Sequence, residues 1–216
     1  ASAFRSAPMS ALFDGNRYLA EKFRVATSLG LKLTATSSLF DDESLVLLAG
    51  ISEALRGFDP LPGVRRELQQ ISAITNSEQL LNSDFSLERS SQKLARGNYS
   101  VAHFATHGVF ANQYEDSYLL TYDGRLTLGR LQSTVGKRRY LNNPLDLLVL
   151  SACETAVGDD RSALGLAGVA LKAGAKSSLA SLWLIQDDAT AQLMTKFYEE
   201  LAQGSTKAGA LAAAQR

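Results

Sequence analysis

Cys153 and His107 are the two side chains in this sequence whose types and settings suit covalent chemistry. Cys153 is the only cysteine in the chain. It closes the stretch Leu145-Asp146-Leu147-Leu148-Val149-Leu150-Ser151-Ala152-Cys153, and Glu154 and Thr155 follow. His107 stands 46 positions earlier, at the end of Tyr99-Ser100-Val101-Ala102-His103-Phe104-Ala105-Thr106, and Gly108 follows it. A thiol attacks as its thiolate, and a neighbouring imidazole can take the proton. His107 would serve as general base and then as general acid for a leaving amine. Gly108 carries no side chain, so a substrate carbonyl can approach the backbone there. The amides of Gly108 and Cys153 are the candidate oxyanion donors, each worth roughly 3–4 kcal/mol.

These residues also carry plainer readings. A lone cysteine after an apolar strand is more often a small core residue than a nucleophile. His103, His107 and Cys153 are metal-ligand types, but residues four apart on a strand lie about 13 Å apart. The two histidines would share an ion only on a helix, and no fourth ligand is evident, so neither metal nor cofactor is expected. His103 reads as a buried, hydrogen-bonded histidine. Trp183, Asp187 and Asp188 come after another apolar run. One reading makes Trp183 a wall of a substrate pocket and an aspartate its charged floor. The other makes Trp183 a filler of the core edge and Asp188 a helix N-cap. Asp159 and Asp160 follow the cysteine loop. Several carboxylates around one crevice would favour a basic residue before the scissile bond.

Both reactive residues need strands that end at a common crevice. Ser44–Ile51 is a continuous apolar run, as expected of a strand covered on both faces. Tyr99–Thr106 and Leu145–Leu150 are of the same kind, and Ser177–Trp183 is a fourth. Phe23–Thr27 alternates enough for a short strand, which Leu31–Thr34 could continue. Ser117–Leu128 reads as a hairpin around the two-residue turn Asp123-Gly124. Helices are expected over Val64–Thr75, with Pro62 near its start, and over Ser86–Arg96, with Ser86 as N-cap and Gly97 as its stop. Others are expected over Leu164–Lys172, from Asp187 through Leu201, and over residues 206–215. The region Gly129–Pro144 reads as a short helix and then an exposed loop that carries Lys137-Arg138-Arg139. That basic run is a solvated loop or, if the pocket prefers basic residues, a point of self-cleavage. Asp59-Pro60-Leu61-Pro62-Gly63 reads as a chain break, and Gly158-Asp159-Asp160 as a loop. Strand–helix alternation of this kind argues for an α/β fold with a mainly parallel sheet, in one domain over residues 1–216.

Composition narrows the partners. Lys and Arg equal Asp and Glu at 22 each, which offers no electrostatic case for nucleic acid or an anionic membrane. One cysteine forms no intrachain disulfide, so the fold does not require an oxidising compartment. No apolar run reaches the ~18–20 residues of a membrane span. The first residues lack a signal-peptide pattern, and a cytoplasmic location is expected.

The sequence resembles the CHAT domain, a caspase-like group often found behind TPR repeats. The matching stretches are His103-Phe104-Ala105-Thr106-His107-Gly108 and Leu150-Ser151-Ala152-Cys153-Glu154-Thr155. Leu164-Gly165-Leu166-Ala167-Gly168, Ala180-Ser181-Leu182-Trp183, Phe197-Tyr198 and the early Leu12-Phe13-Asp14-Gly15 extend it over nearly the whole chain. The His–Cys spacing is also close to the ~50 residues of caspase-type cysteines. The resemblance implies a caspase-like three-layer α/β sandwich and a cysteine endopeptidase acting on proteins or peptides, regulated by N-terminal TPR-type repeats. It carries the base to His107 and the nucleophile to Cys153. The family has a strand before the region of Pro8, so the chain is expected to lack that edge strand. The competing function is a catalytically silent caspase-like domain that binds proteins.

Overall fold

A strand that is apolar on both faces must be covered from both sides, and the three longest apolar runs meet that demand together. The computed structural model describes residues 9–25, 44–109, 116–140, 144–151, 174–181 and 187–216. Within them the strands are β1 (Leu45–Gly50), β2 (Ser77–Leu81), β3 (Tyr99–Ala105), β4 (Gly108–Val109), β5 (Tyr118–Leu120), β6 (Arg125–Thr127), β7 (Leu147–Ser151) and β8 (Ser178–Ala180). The helices are α1 (Leu19–Lys22), α2 (Pro62–Ile74), α3 (Leu87–Arg96), α4 (Leu128–Tyr140), α5 (Asp187–Ala202) and α6 (Lys207–Ala214).

Five strands form a parallel sheet in the order β2-β1-β3-β7-β8. Leu47, Ala49, Ala102, Phe104, Leu148 and Leu150 face one apolar layer, with Leu94 of α3 and Leu131 and Val135 of α4. Val46, Leu48, Val101, Ala105, Leu147 and Val149 face the other, against Val64, Leu68 and Ile71 of α2 and Met194, Phe197 and Leu201 of α5. The fold is the expected three-layer α/β sandwich. Burial of each such large apolar side chain is worth about 1.5–3 kcal/mol relative to exposure.

The strand order matters for chemistry. From β1 the chain crosses to β2 on one side, and β3 is then added on the other side. The segments that leave β1 and β3 therefore part from one another at their carboxyl ends. Such a switch point is where an open α/β sheet forms its ligand crevice.

Local signals set the limits of α3. Ser86 Oγ accepts from the Arg89 amide at 3.2 Å, Glu88 sits in the first turn of α3, and Lys93 and Arg96 sit in the last. All three placements suit the helix dipole and its orphan amides. The stripe Ala191, Met194, Phe197, Tyr198 and Leu201 is the buried face of α5.

Four expectations change. Ser77–Leu81 is a sheet strand that the sequence pattern did not reveal: Ser-Glu-Gln-Leu-Leu is an edge strand, and of its residues only Leu80 is buried. Phe23–Val25 is not a strand. The hairpin turn lies one residue earlier than expected. Thr121 and Gly124 exchange backbone hydrogen bonds, so Tyr122 and Asp123 occupy its centre. The Asp123 carboxylate accepts from the Leu87 amide at 2.7 Å, which docks the turn on the first residue of α3. Finally, Lys137, Arg138 and Arg139 lie in the last turn of α4 rather than in a loop. The expected strand at Leu31–Thr34 and helix at Leu164–Lys172 lie outside the described residues.

Candidate active site

His107 is held at its backbone by the small antiparallel sheet β4-β5-β6. The Thr106 hydroxyl donates to the Leu120 carbonyl at 2.8 Å, and the Leu120 amide donates to the His107 carbonyl at 2.9 Å. Gly108 then stands opposite Leu119, and Val109 opposite Tyr118. Bonded and non-bonded positions alternate along an antiparallel ladder. With His107 at a bonded position, the Gly108 backbone groups point away from β5.

The imidazole is held by a different part of the chain. Its Nε2 lies 2.8 Å from the Asp59 carbonyl oxygen. A carbonyl only accepts, so Nε2 carries the proton and the neutral ring keeps its lone pair on Nδ1. Nδ1 is buried and has no hydrogen-bond partner among the described residues. Phe58 stacks on the ring, with centroids 4.8 Å apart and planes 29° apart. Tautomer, orientation and a buried lone pair are thus set by residues 58 and 59.

That loop is itself braced. The Ser52 amide and hydroxyl both reach Asn82 Oδ1, at 2.8 and 3.1 Å. The Leu61 amide donates to the Ser52 carbonyl at 3.2 Å, and Leu55 and Phe58 exchange backbone hydrogen bonds. Between them Arg56 and Gly57 have φ of +54° and +86°. Glycine adopts that region freely, whereas a residue with a β-carbon gives up about 1–2 kcal/mol there. Arg56 Nη2 donates to the Asp123 carbonyl at 2.9 Å, on the tip of the β5–β6 hairpin. Pro60 and Pro62 limit the rest of the loop, since proline fixes its own φ and confines the residue before it.

The strand that leads to Cys153 is the hydrogen-bonded neighbour of the strand that leads to His107. β3 and β7 run parallel with Ala105 opposite Ser151. In sequence His107 follows Ala105 by two positions, and Cys153 follows Ser151 by two. Adjacent strands lie about 4.8 Å apart. Cys153 lies outside the described residues, as do Asp159, Asp160 and Trp183.

Asp187 and Asp188 are engaged at the junction of α2 and α5. The Asp187 carboxylate accepts from the Gly63 amide, in the first turn of α2. A β-carbon at Gly63 would sit 2.6 Å from that carboxylate oxygen, so the contact requires glycine. Burial pushes the Asp187 carboxyl above the ordinary aspartate range; the nearby Glu67 and Asp188 charges add to this, and the Gly63 hydrogen bond opposes it. Asp188 pairs with Arg66. His103 is fully buried, between α2 and α5. Its Nδ1 lies 3.2 Å from the Tyr198 hydroxyl. Its Nε2 lies 2.9 Å from Glu67 Oε1, off the line of a good hydrogen bond. Burial, and then the Glu67 charge, push the Tyr198 phenol well above its usual range. It keeps a proton to donate to His103 Nδ1, which leaves Nε2–H facing the carboxylate. His103 and His107 thus serve separate surroundings. Among the described residues, no group of three or more His, Cys, Asp or Glu side chains is arranged to hold a metal ion.

A family model of the CHAT domain matches residues 1–216, the whole chain. The chain belongs to the CHAT domain family. The caspase-like sandwich around His107 is the expression of that membership in this CHAT domain. No curated protein matches it significantly. A crystal structure of protein GSU0716 from Geobacter sulfurreducens is similar at a TM-score of 0.40 and 10% identity over 53% of this chain. The CHAT domain spans about half of that protein, 51% of its chain. The residues that sequence reasoning missed are Phe58 and Asp59. The available signal was their place just after Ser44–Ile51, beside the histidine strand, where a loop must cross the crevice.

Proposed function

We propose that this CHAT domain is a cysteine endopeptidase of the caspase-like type, with Cys153 as nucleophile and His107 as general base. The observation that carries the reading is the His107 ring: Nε2 is tied to a backbone carbonyl, and Nδ1 is buried and unpartnered. A base so held loses no freedom when it takes a proton from a thiol. The pairing of β3 with β7 in matched register supports the approach of the two catalytic groups. The Gly108 and Cys153 amides are the proposed oxyanion donors, and the outward direction of the Gly108 backbone agrees with this. Trp183 and Asp159 remain the pocket candidates. Asp187 and Asp188 already serve α2, so a preference for basic residues rests on Asp159 in this reading. Regulation by N-terminal TPR-type repeats and a cytoplasmic site of action complete the proposal.

The test is labelling of Cys153 by iodoacetamide at neutral pH, beside cleavage of a peptide library. His107→Ala should slow labelling and lower cleavage by about 10²-fold or more, and Cys153→Ala should abolish cleavage. Equal labelling of wild type and His107→Ala would overturn the assignment.

A further inference from the structure

We infer that Arg56 is a positioning residue for His107, an inference that rests on the proposed role of His107 as the base. The residue pays for its place in conformation. It holds φ +54° beside Gly57 at +86°, in a turn whose two central positions both suit glycine. An arginine kept there without a task would be a poor choice for the turn, and its side chain shows the task. Nη2 crosses to the Asp123 carbonyl, on the tip of the hairpin.

The value of that crossing lies in what each side holds. The hairpin holds the backbone of His107, through the Leu120 amide on the His107 carbonyl. The loop after β1 holds the ring of His107, through the Asp59 carbonyl and the Phe58 face. Backbone and ring are therefore gripped by two separate pieces of chain. A shift of one piece against the other stretches the Nε2–H···O bond that fixes the tautomer. Arg56 ties the two pieces together and closes a ring of contacts: Arg56 to Asp123, along the hairpin to Leu120, on to His107, and back through Asp59 and Phe58. Phe58 and Asp59 lie within three positions of Arg56, and Asp123 lies three positions from Leu120, so little slack exists on either side.

Arg56→Gly tests this without threatening the fold, because glycine suits the observed φ and relieves the turn. Arg56→Lys keeps the charge and the β-carbon but loses the planar fork. The chain has two histidines, so nitrogen-15 spectra of the imidazoles resolve each ring, with His107→Ala as the assignment control. Wild type should show neutral His107 as the Nε2–H form alone. Arg56→Gly should show a mixture of both tautomers, with an unchanged or raised Tm, and Arg56→Lys an intermediate mixture. Cys153 labelling in Arg56→Gly should slow by about threefold to tenfold, the range one net hydrogen bond confers. A tautomer population in Arg56→Gly identical to wild type overturns the inference, whatever happens to Tm. The spectra need no reaction. If Cys153 in wild type does not label, the peptidase reading falls, while the spectra still decide whether Arg56 positions the ring.

Discussion

His103 and His107 lie four residues apart on one path of chain, and their surroundings differ in kind. His103 belongs to the interior of a strand. Both of its ring nitrogens face side chains, Glu67 from α2 and Tyr198 from α5, and no part of it reaches solvent. His107 lies past the strand end. One nitrogen meets a backbone carbonyl and the other meets no hydrogen-bond partner among the described residues. A side chain whose ring nitrogens both face protein side chains in a sealed interior stabilises a fold and has nothing left to offer a substrate. A side chain oriented on one edge and unanswered on the other is ready to take a proton. The strand interior, sealed by helices on two sides, can only make the first kind. The strand end, where loops diverge, can make the second.

Mutations sharpen this contrast. The His107→Ala change described above should act chiefly on reactivity. Glu67→Leu should do the reverse. Removing the carboxylate leaves the buried His103 Nε2–H with no polar neighbour, which typically costs about 1–3 kcal/mol, and urea denaturation should show a loss of that size. A loss under about 1 kcal/mol would mean that Glu67 and His103 do not act as a pair. Tyr198→Phe removes one hydroxyl from His103 Nδ1 and should cost about 1 kcal/mol by the same assay. Cys153 labelling in that variant should match wild type. A large drop in labelling with little loss of stability would break the distinction between the two histidines.

The smallest effect concerns pH. Asp187 binds its proton more readily in the folded chain than in the unfolded one, chiefly because it is buried. The stability linked to it is complete below the unfolded value, about 3.9. It is lost as pH rises through the higher folded value. Asp187→Asn cannot ionise, yet still offers an acceptor to the Gly63 amide. Wild type should therefore lose Tm relative to Asp187→Asn as pH rises from about 3.5 to about 6. A constant difference across that range would show that the buried carboxylate does not couple to folding.

Much of this was written in residue order. The runs Ser44–Ile51, Tyr99–Thr106 and Leu145–Leu150 specified buried parallel strands, because only strands covered on both faces are apolar throughout. Ser86 and Gly97 marked the limits of α3 through local hydrogen bonding that needs no distant partner. Other features depended on distant partners. Ser77–Leu81 became a strand because β1 offered it a free edge, although its own pattern gave little sign of this. The hairpin turn took its register from the Leu87 amide, which the Asp123 carboxylate accepts from across 36 positions. The helical register of Lys137–Arg139 likewise follows from the continuation of α4 to Tyr140.

The site divides along the same line. Residue types alone named His107 and Cys153, since imidazole and thiol are chemically distinctive wherever they stand. The Asp59 carbonyl was beyond the reach of sequence, because every residue carries a carbonyl and only tertiary structure chooses which one meets the imidazole. Sequence determined which groups this CHAT domain has for chemistry. The packing of one loop against one strand end decided which nitrogen of His107 holds the proton, since that depends on a distance between atoms 48 positions apart along the chain.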